Sequence, residues 1–199
     1  MPDVSAHLNE LLMIRNLFFC FFIFITNSYS QPPKHLNYDS LFRENDRASK
    51  NAIDKPFSDF DISNDRIQLS KSKLLGKIVY INFWFSACSP CMMEMPQLND
   101  LYTKFKSDTN FVFISISSDK EDKIKIVKSK YNIEYEVFSL PVTECNRLNI
   151  SHSYPANIIL DTGGIVRLYE TGGKDNKLST RRYFERKIYR QIIHYINER

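Results

Sequence analysis

The residues best suited to chemistry are two cysteines separated by a Ser-Pro pair, Cys88-Ser89-Pro90-Cys91. An apolar, aromatic run, Phe83-Trp84-Phe85, precedes them and reads as the end of a buried strand; a helix-periodic segment follows at once. A Cys-x-x-Cys at a strand-to-helix junction is a redox signature, because a thiolate is what attacks a disulfide. The first turn of a helix offers unpaired backbone N–H groups and a favourable dipole to a negative sulfur. Cys88, at that position, is the expected exposed attacker, and Cys91, one turn on, the buried resolver that frees the bound partner. Ser89-Pro90 is expected to tune the potential. The same spacing also suits a plain disulfide or half of a zinc site. Zinc usually takes a second Cys/His pair, and Cys145, His35, His152 and His194 stand at no recognised spacing. The expectation is redox chemistry with no metal and no cofactor.

A scaffold must hold this dithiol, and the chain is long enough to supply one. Its 199 residues are 43% hydrophobic, 14% aromatic and 25% charged, which suits one domain plus extras rather than a disordered chain. The formal charge of +4 is too small and too dispersed to argue for nucleic acid. Lys77 to Phe85 is apolar nearly throughout, as in a central strand covered on both faces. Pro90 fits the first turn of the next helix, and Leu98, Leu101, Tyr102 and Phe105 give it an apolar face; Pro96 lies inside it and predicts a kink. Phe57, Phe60, Ile62, Ile67 and Leu69 flank Ser63-Asn64-Asp65 as a short hairpin, and Ser70 to Leu75 reads as one helical turn.

Further on, Phe111 to Ile116 is a second buried strand. Ser118-x-x-Glu121 predicts a capping box for a helix through Tyr131, and Thr143 a cap for a short helix through Leu148. Glu136 to Leu140, Ile158 to Leu160 and Ile165 to Tyr169 complete the strands. A helix lined by Phe184, Ile188, Ile192 and Tyr195 closes the chain. Helices alternate with strands and a hairpin plus helix follows, so the order implies an α/β fold: a mixed central sheet with helices on both faces.

The N-terminus predicts export. Leu17 to Ile25 is apolar but shorter than the roughly 20 residues a membrane-spanning helix needs. It suits the core of a secretory signal, with Arg15 ahead of it and Ser28-Tyr29-Ser30 as the cleavage region. Asp3 and Glu10 fit a signal poorly, whereas Met13-Ile14-Arg15-Asn16 opens one well, so Met13 is the expected start. Residues 1–30 are thus read as a signal, 31–55 as a polar linker with a short helix, and 56–199 as the folded domain. An uncleaved anchor and a lipoprotein signal on Cys20 are lesser alternatives.

Asn82-Phe83-Trp84-Phe85-Ser86-Ala87-Cys88-Ser89-Pro90-Cys91-Met92-Met93-Glu94-Met95-Pro96 resembles the signature of the TlpA/ResA branch of thioredoxin-like proteins. Gly76-Lys77 ahead of it, Tyr154-Pro155-Ala156 before Ile158-Ile159-Leu160-Asp161, and Gly164-Ile165 fit too. The resemblance covers roughly Pro56 to Arg199. It implies a thioredoxin-like three-layer sandwich with an N-terminal hairpin extension. It also implies a reducing thiol–disulfide oxidoreductase, with a redox disulfide between Cys88 and Cys91. Pro155 would be a cis-proline facing it, presenting the Tyr154 backbone to an extended substrate. The implied setting is a bacterial periplasm or cell envelope; the implied partners are protein disulfides, apocytochrome cysteines among them, and a membrane electron donor for re-reduction. A monomer is expected.

Two positions depart from the family. Ala87 stands where an aromatic lid, usually Trp, covers the attacking sulfur. Asn82 stands where ordinary thioredoxins carry a buried Asp, and Asn cannot shuttle a proton, so a base must come from elsewhere. Glu94 is the candidate for proton transfer; a surface or loop-anchoring hydrogen bond is the blander expectation and the favoured one.

Of the rest, Cys145 is expected to be a buried, inert thiol and His152 a surface loop residue. Met92 and Met93 suit either a substrate groove or helix packing. Arg181, Arg182, Arg186, Lys187 and Arg190 read as a solvated face. Two rival functions remain. A thiol peroxidase wants a Thr three residues before its cysteine, where this chain has Phe85. A copper-handling protein of this fold usually spaces its cysteines C-x-x-x-C, with a distant histidine for which His152 is the candidate.

Overall fold

The sheet is built around one strand, β3 (Ile78–Trp84), in which every residue is buried. A computed structural model describes residues 38–198; the signal expected over 1–30, with Met13 and Cys20, lies outside them. Strand order is β5-β4-β3-β6-β7, with β4 (Phe111–Ser117) and β5 (Val137–Ser139) parallel to β3 on one side. On the other side β6 (Ala156–Leu160) runs antiparallel to β3, and β7 (Val166–Thr171) antiparallel to β6. The hairpin of β1 (Asp61–Ser63) and β2 (Gln68–Ser70) forms a separate two-stranded sheet, followed by one 3-10 turn. This is the mixed α/β sandwich that the element order implied.

Alternation along β3 divides its side chains between two apolar layers. Ile78, Tyr80 and Trp84 enter the layer shared with α2 (Ser89–Phe105), α3 (Glu121–Tyr131) and the C-terminal helices. Val79, Ile81 and Phe83 enter the opposite layer, with Ala52 of α1 (Tyr38–Ala52) and with Cys145 and Leu148 of α4 (Val142–Leu148). The same period puts Asn82 on the α2 side. Register pairs it with Asn157, so two buried amides meet on one face of the sheet.

Four local expectations change. Part of the segment expected as linker is the fifteen-residue helix α1, with Ser49 and Ala52 buried. After it, Asp54 N–H donates to the Val166 carbonyl and Val166 N–H to the Lys55 carbonyl, both at 2.9 Å, which stitches this segment to the edge of β7. Ser118 does not cap α3: its N-cap is Lys120, so Glu121 opens the helix instead of closing a box. Thr143 lies inside α4, whose N-cap is Pro141. The closing helix begins at α5 (Lys177–Tyr183), capped by a reciprocal Asn176–Ser179 box. It passes through a π turn (Phe184–Ile188) and ends in α6 (Tyr189–Asn197).

The π turn follows from the sequence. Thr180, Phe184, Ile188 and Ile192 are all fully buried at intervals of four. At 3.6 residues per turn such a stripe drifts round the helix, and one wider turn brings it back onto the core. Pro96 sits inside α2 on its exposed side.

Cys145 is fully buried and free, and burial pushes its thiol up to about 11. Cys145→Ser is expected to cost about 1–3 kcal/mol, because a hydroxyl replaces a thiol in an apolar layer, and to leave disulfide turnover unchanged. Urea unfolding and a disulfide-reduction assay check this.

Candidate active site

Cys88 is the N-cap of α2, the position at which the helix has backbone donors to spare. Its Sγ accepts from the Cys91 N–H at 3.2 Å. Cys88 and Cys91 form a disulfide of 2.04 Å, with Cα atoms 5.2 Å apart. Cys88 retains 7% of its exposure and Cys91 1%, so Cys88 is the more accessible sulfur-bearing residue. Ala87 and Ser89 on either side are exposed. The approach to the motif is fixed by Asp119, whose Oδ2 accepts from the Ser86 N–H at 2.5 Å.

The Tyr154–Pro155 peptide is cis, and Pro155 is buried. The Tyr154 ring meets Phe85 edge-on at 5.2 Å, which ties this loop to the end of β3. Behind it lies a buried polar knot. Asn149 Nδ2 donates to the Ser153 carbonyl at 3.0 Å, while Asn149 Oδ1 accepts from Ser151 Oγ at 2.8 Å and Tyr169 Oη at 2.7 Å. His152, within the loop, is exposed, with φ of 53°.

A third segment follows β7. Gly172 N–H donates to the Pro155 carbonyl at 2.9 Å. Gly173 lies so close to the motif that a Cβ there would stand 2.2 Å from Pro90 Cβ. Lys174 then sets its ammonium 4.3 Å from the centre of the Tyr183 ring. The Gly172-Gly173 pair therefore touches both the proline of the motif and the cis-proline.

Glu94 departs from the favoured expectation. It is fully buried, not on a helix surface and not anchoring a loop. Asn157 Nδ2 donates to its two carboxylate oxygens at 3.3 and 3.1 Å. Asn157 Oδ1 in turn accepts from Tyr80 Oη at 2.5 Å and Asn82 Nδ2 at 2.9 Å. Burial pushes the Glu94 carboxyl up from 4.5 to about 7, against the opposing pull of the Asn157 hydrogen bond and the Lys174 charge. It lies three residues after Cys91 on α2. Asn157 is the residue that sequence reasoning missed, and its signal was available: an Asn amid the apolar run Ala156–Leu160. Met92 packs against the α2-side layer and Met93 is half-buried. Among the described residues no group of three His, Cys, Asp or Glu could hold a metal ion.

The model of the AhpC/TSA family matches residues 53–184, two thirds of the chain. The chain belongs to that family. It is similar to the thiol–disulfide oxidoreductase ResA of Bacillus thuringiensis subsp. konkukian, 28% identical over 127 residues, which is 63% of this chain and 71% of that one. It is also similar to ResA of Halalkalibacterium halodurans, 26% identical over 71% of this chain and 79% of the relative. Among solved structures, a thiol:disulfide interchange protein from Chlorobium tepidum superposes with a TM-score of 0.57 at 20% identity, covering 71% of this chain and 96% of that one. A thiol–disulfide oxidoreductase from Bacteroides fragilis gives 0.56 at 20% identity, covering 69% and 99%. This member of the AhpC/TSA family is a thiol–disulfide oxidoreductase of thioredoxin-like fold.

Two outcomes follow from this geometry. Gly173→Ala forces its methyl into Pro90 and is expected to cost about 1–3 kcal/mol, with slower reduction of disulfides; denaturation and turnover are the readouts. Glu94→Gln removes a carboxylate held at about 7 in the fold against 4.5 when solvated. The folded state binds that proton more tightly, so the stability cost of the charge grows as pH rises through this window and is complete above it. The oxidised variant should match the wild type near pH 4 and exceed it by roughly 3 kcal/mol above pH 8. Stability curves against pH measure the difference.

Proposed function

We propose that this chain reduces disulfides of exported proteins, and that Cys88, Cys91, Glu94, Tyr154 and Pro155 carry the reaction. The observation that carries the reading is the disulfide at the start of α2, with the more accessible sulfur at the N-cap. In the reduced protein the Cys88 thiolate attacks one sulfur of a substrate disulfide. That bond breaks, a mixed disulfide forms, and the departing substrate sulfur takes up a proton. Cys91 then loses its proton and attacks Cys88 Sγ, releasing the second substrate thiol. Two electrons have passed to the substrate, and Cys88–Cys91 is left as the disulfide present here. A two-electron thiol donor at the membrane restores the dithiol.

Glu94 is the proposed acceptor of the Cys91 proton. It lies one helical turn away, is shielded from water, and has a carboxyl pushed to about 7, where it exchanges a proton readily at neutral pH. Tyr154 is the proposed main-chain contact for substrate, with cis Pro155 turning that backbone toward the motif. Export rests on the apolar N-terminal run, and the envelope setting and apocytochrome substrates on the resemblance of the Asn82–Pro96 motif to the TlpA/ResA branch. Among the described residues no helix is long and apolar enough to cross a membrane.

Cys91→Ser, expressed in an envelope that contains the natural partners, should accumulate mixed disulfides through Cys88. A dithiol reductant should release them, and Cys88→Ser should trap none. Equal trapping by both variants, or none by either, would overturn the assignment of attacker and resolver.

A further inference from the structure

The loop that leaves β7 brings a positive charge close to the buried acid. Gly172 is tied to the cis-proline through its N–H, and Gly173 packs on Pro90 between the two cysteines. Lys174 comes next and is half-buried. Its ammonium lies 4.3 Å from the centre of the Tyr183 ring and makes no ion pair among the described residues. Tyr183 closes α5, and its hydroxyl is buried with no hydrogen-bond partner among the described residues. That hydroxyl lies near enough to Asn157 and Glu94 for both to act on it. The ring thus bridges the Lys174 ammonium and the polar interior around Glu94.

We propose that Lys174 is a positioning residue for the second step of the reaction: its ammonium, held on the Tyr183 ring, keeps the Glu94 carboxylate ready to take the proton of Cys91. The inference rests on the proton-acceptor reading of Glu94 and adds the charge that sustains it. In that step Cys91 Sγ bonds to Cys88 Sγ, and the substrate sulfur leaves with the electron pair of the broken bond. The Cys91 proton passes to Glu94, and Lys174 neither gains nor loses one. Three observations carry the inference. Lys174 is the one positive charge that bears on Glu94 among the described residues. The titratable groups facing the acid from other elements are Tyr80 of β3, Tyr135 ahead of β5 and Tyr183 of α5, phenols that burial pushes up and keeps neutral. Asn157 of β6 is uncharged, and Glu170, which bears on Tyr183 from β7, is paired with Lys187. Next, the Gly172 and Gly173 contacts fix the loop at its root, so Lys174 is not a free surface lysine. Finally, Glu94 is fully buried, and a charge acts on a buried group with little screening.

Lys174→Met keeps an apolar stem over the Tyr183 ring and removes the charge; Lys174→Arg keeps the charge. The full-length reduced protein is mixed with Ellman's reagent in a stopped-flow instrument. The aromatic thiolate appears in two phases, the first from attack by Cys88 and the second from attack by Cys91. Without the Lys174 charge the Glu94 carboxyl rises further, so the acid limb of the second phase moves to higher pH. The expected shift for Lys174→Met is about half a pH unit or more, read as a fall of about threefold in the second-phase rate on the acid side and none at high pH. Lys174→Arg should follow the wild type, and Lys174→Met should move nothing further in a Glu94→Gln background. A second-phase profile within about 0.2 pH unit of the wild type overturns the inference. So does an equal shift in the Glu94→Gln background, or an equal slowing of the first phase. If Glu94→Gln alone keeps the wild-type second phase, the proton-acceptor reading fails first and this inference with it.

Discussion

One amide holds the polar interior of this protein together. Asn157 donates to both oxygens of Glu94 and accepts from Tyr80 and Asn82. A carboxylate with no water around it is costly unless it is hydrogen-bonded. Without Asn157, Glu94 would lose its side-chain donor among the described residues, and Tyr80 and Asn82 would lose an acceptor. That arrangement depends on register. Asn82 and Asn157 face each other across β3 and β6, on the side of the sheet that α2 covers. A slip of one residue would turn either amide into the opposite apolar layer. The pairing of these strands thus sets the environment of the acid beneath the disulfide.

The dithiol's other supports are main-chain contacts rather than side-chain chemistry. Pro90 is touched by Gly173 and the Pro155 carbonyl accepts from Gly172, so the motif and the cis-proline share one two-residue loop. Gly172 has φ of 76°, a left-handed conformation that side chains resist, and Gly173 leaves no room for a Cβ. Substrate contacts built from backbone, as proposed for Tyr154, would read disulfides without demanding a particular side chain. Asn45 of α1 and the Asn149 knot hold Ser153, next to that backbone.

How much of this was legible depended on whether a feature is local. Cys88, Cys91 and the central strand carry short-range signals, a two-residue spacing and an unbroken apolar run, whereas Pro155 is marked only by the family resemblance. Their elements fell where the pattern put them. Ser118 and Thr143 failed as caps because capping residues recur by chance, and the backbone entered each helix two residues from the position that pattern required. Helix α1 was read only as a short helix in a polar linker, and what fixes its length is its packing: Ser49 and Ala52 are buried. Glu94 could be singled out as an acid near the motif, but its burial could not. That needed Asn157, sixty-three residues away, to arrive opposite Asn82. Gly173 against Pro90 is likewise a tertiary contact with no pattern in the chain.

The loop before Pro155 shows what that tertiary order does for binding. Asn149, Ser151 and Tyr169 are buried and bonded to one another, and Ser153 is held from both sides, by Asn149 and by Asn45 of α1. A loop left to order itself on each encounter would subtract roughly 0.5–1.5 kcal/mol per immobilised side chain from binding. Here that entropy is lost on folding, at the expense of global stability and once only. In the proposed reaction the Tyr154 backbone then meets its partner already ordered. On that reading even a weak complex is productive, because its few contacts are spent on orientation rather than on ordering the enzyme.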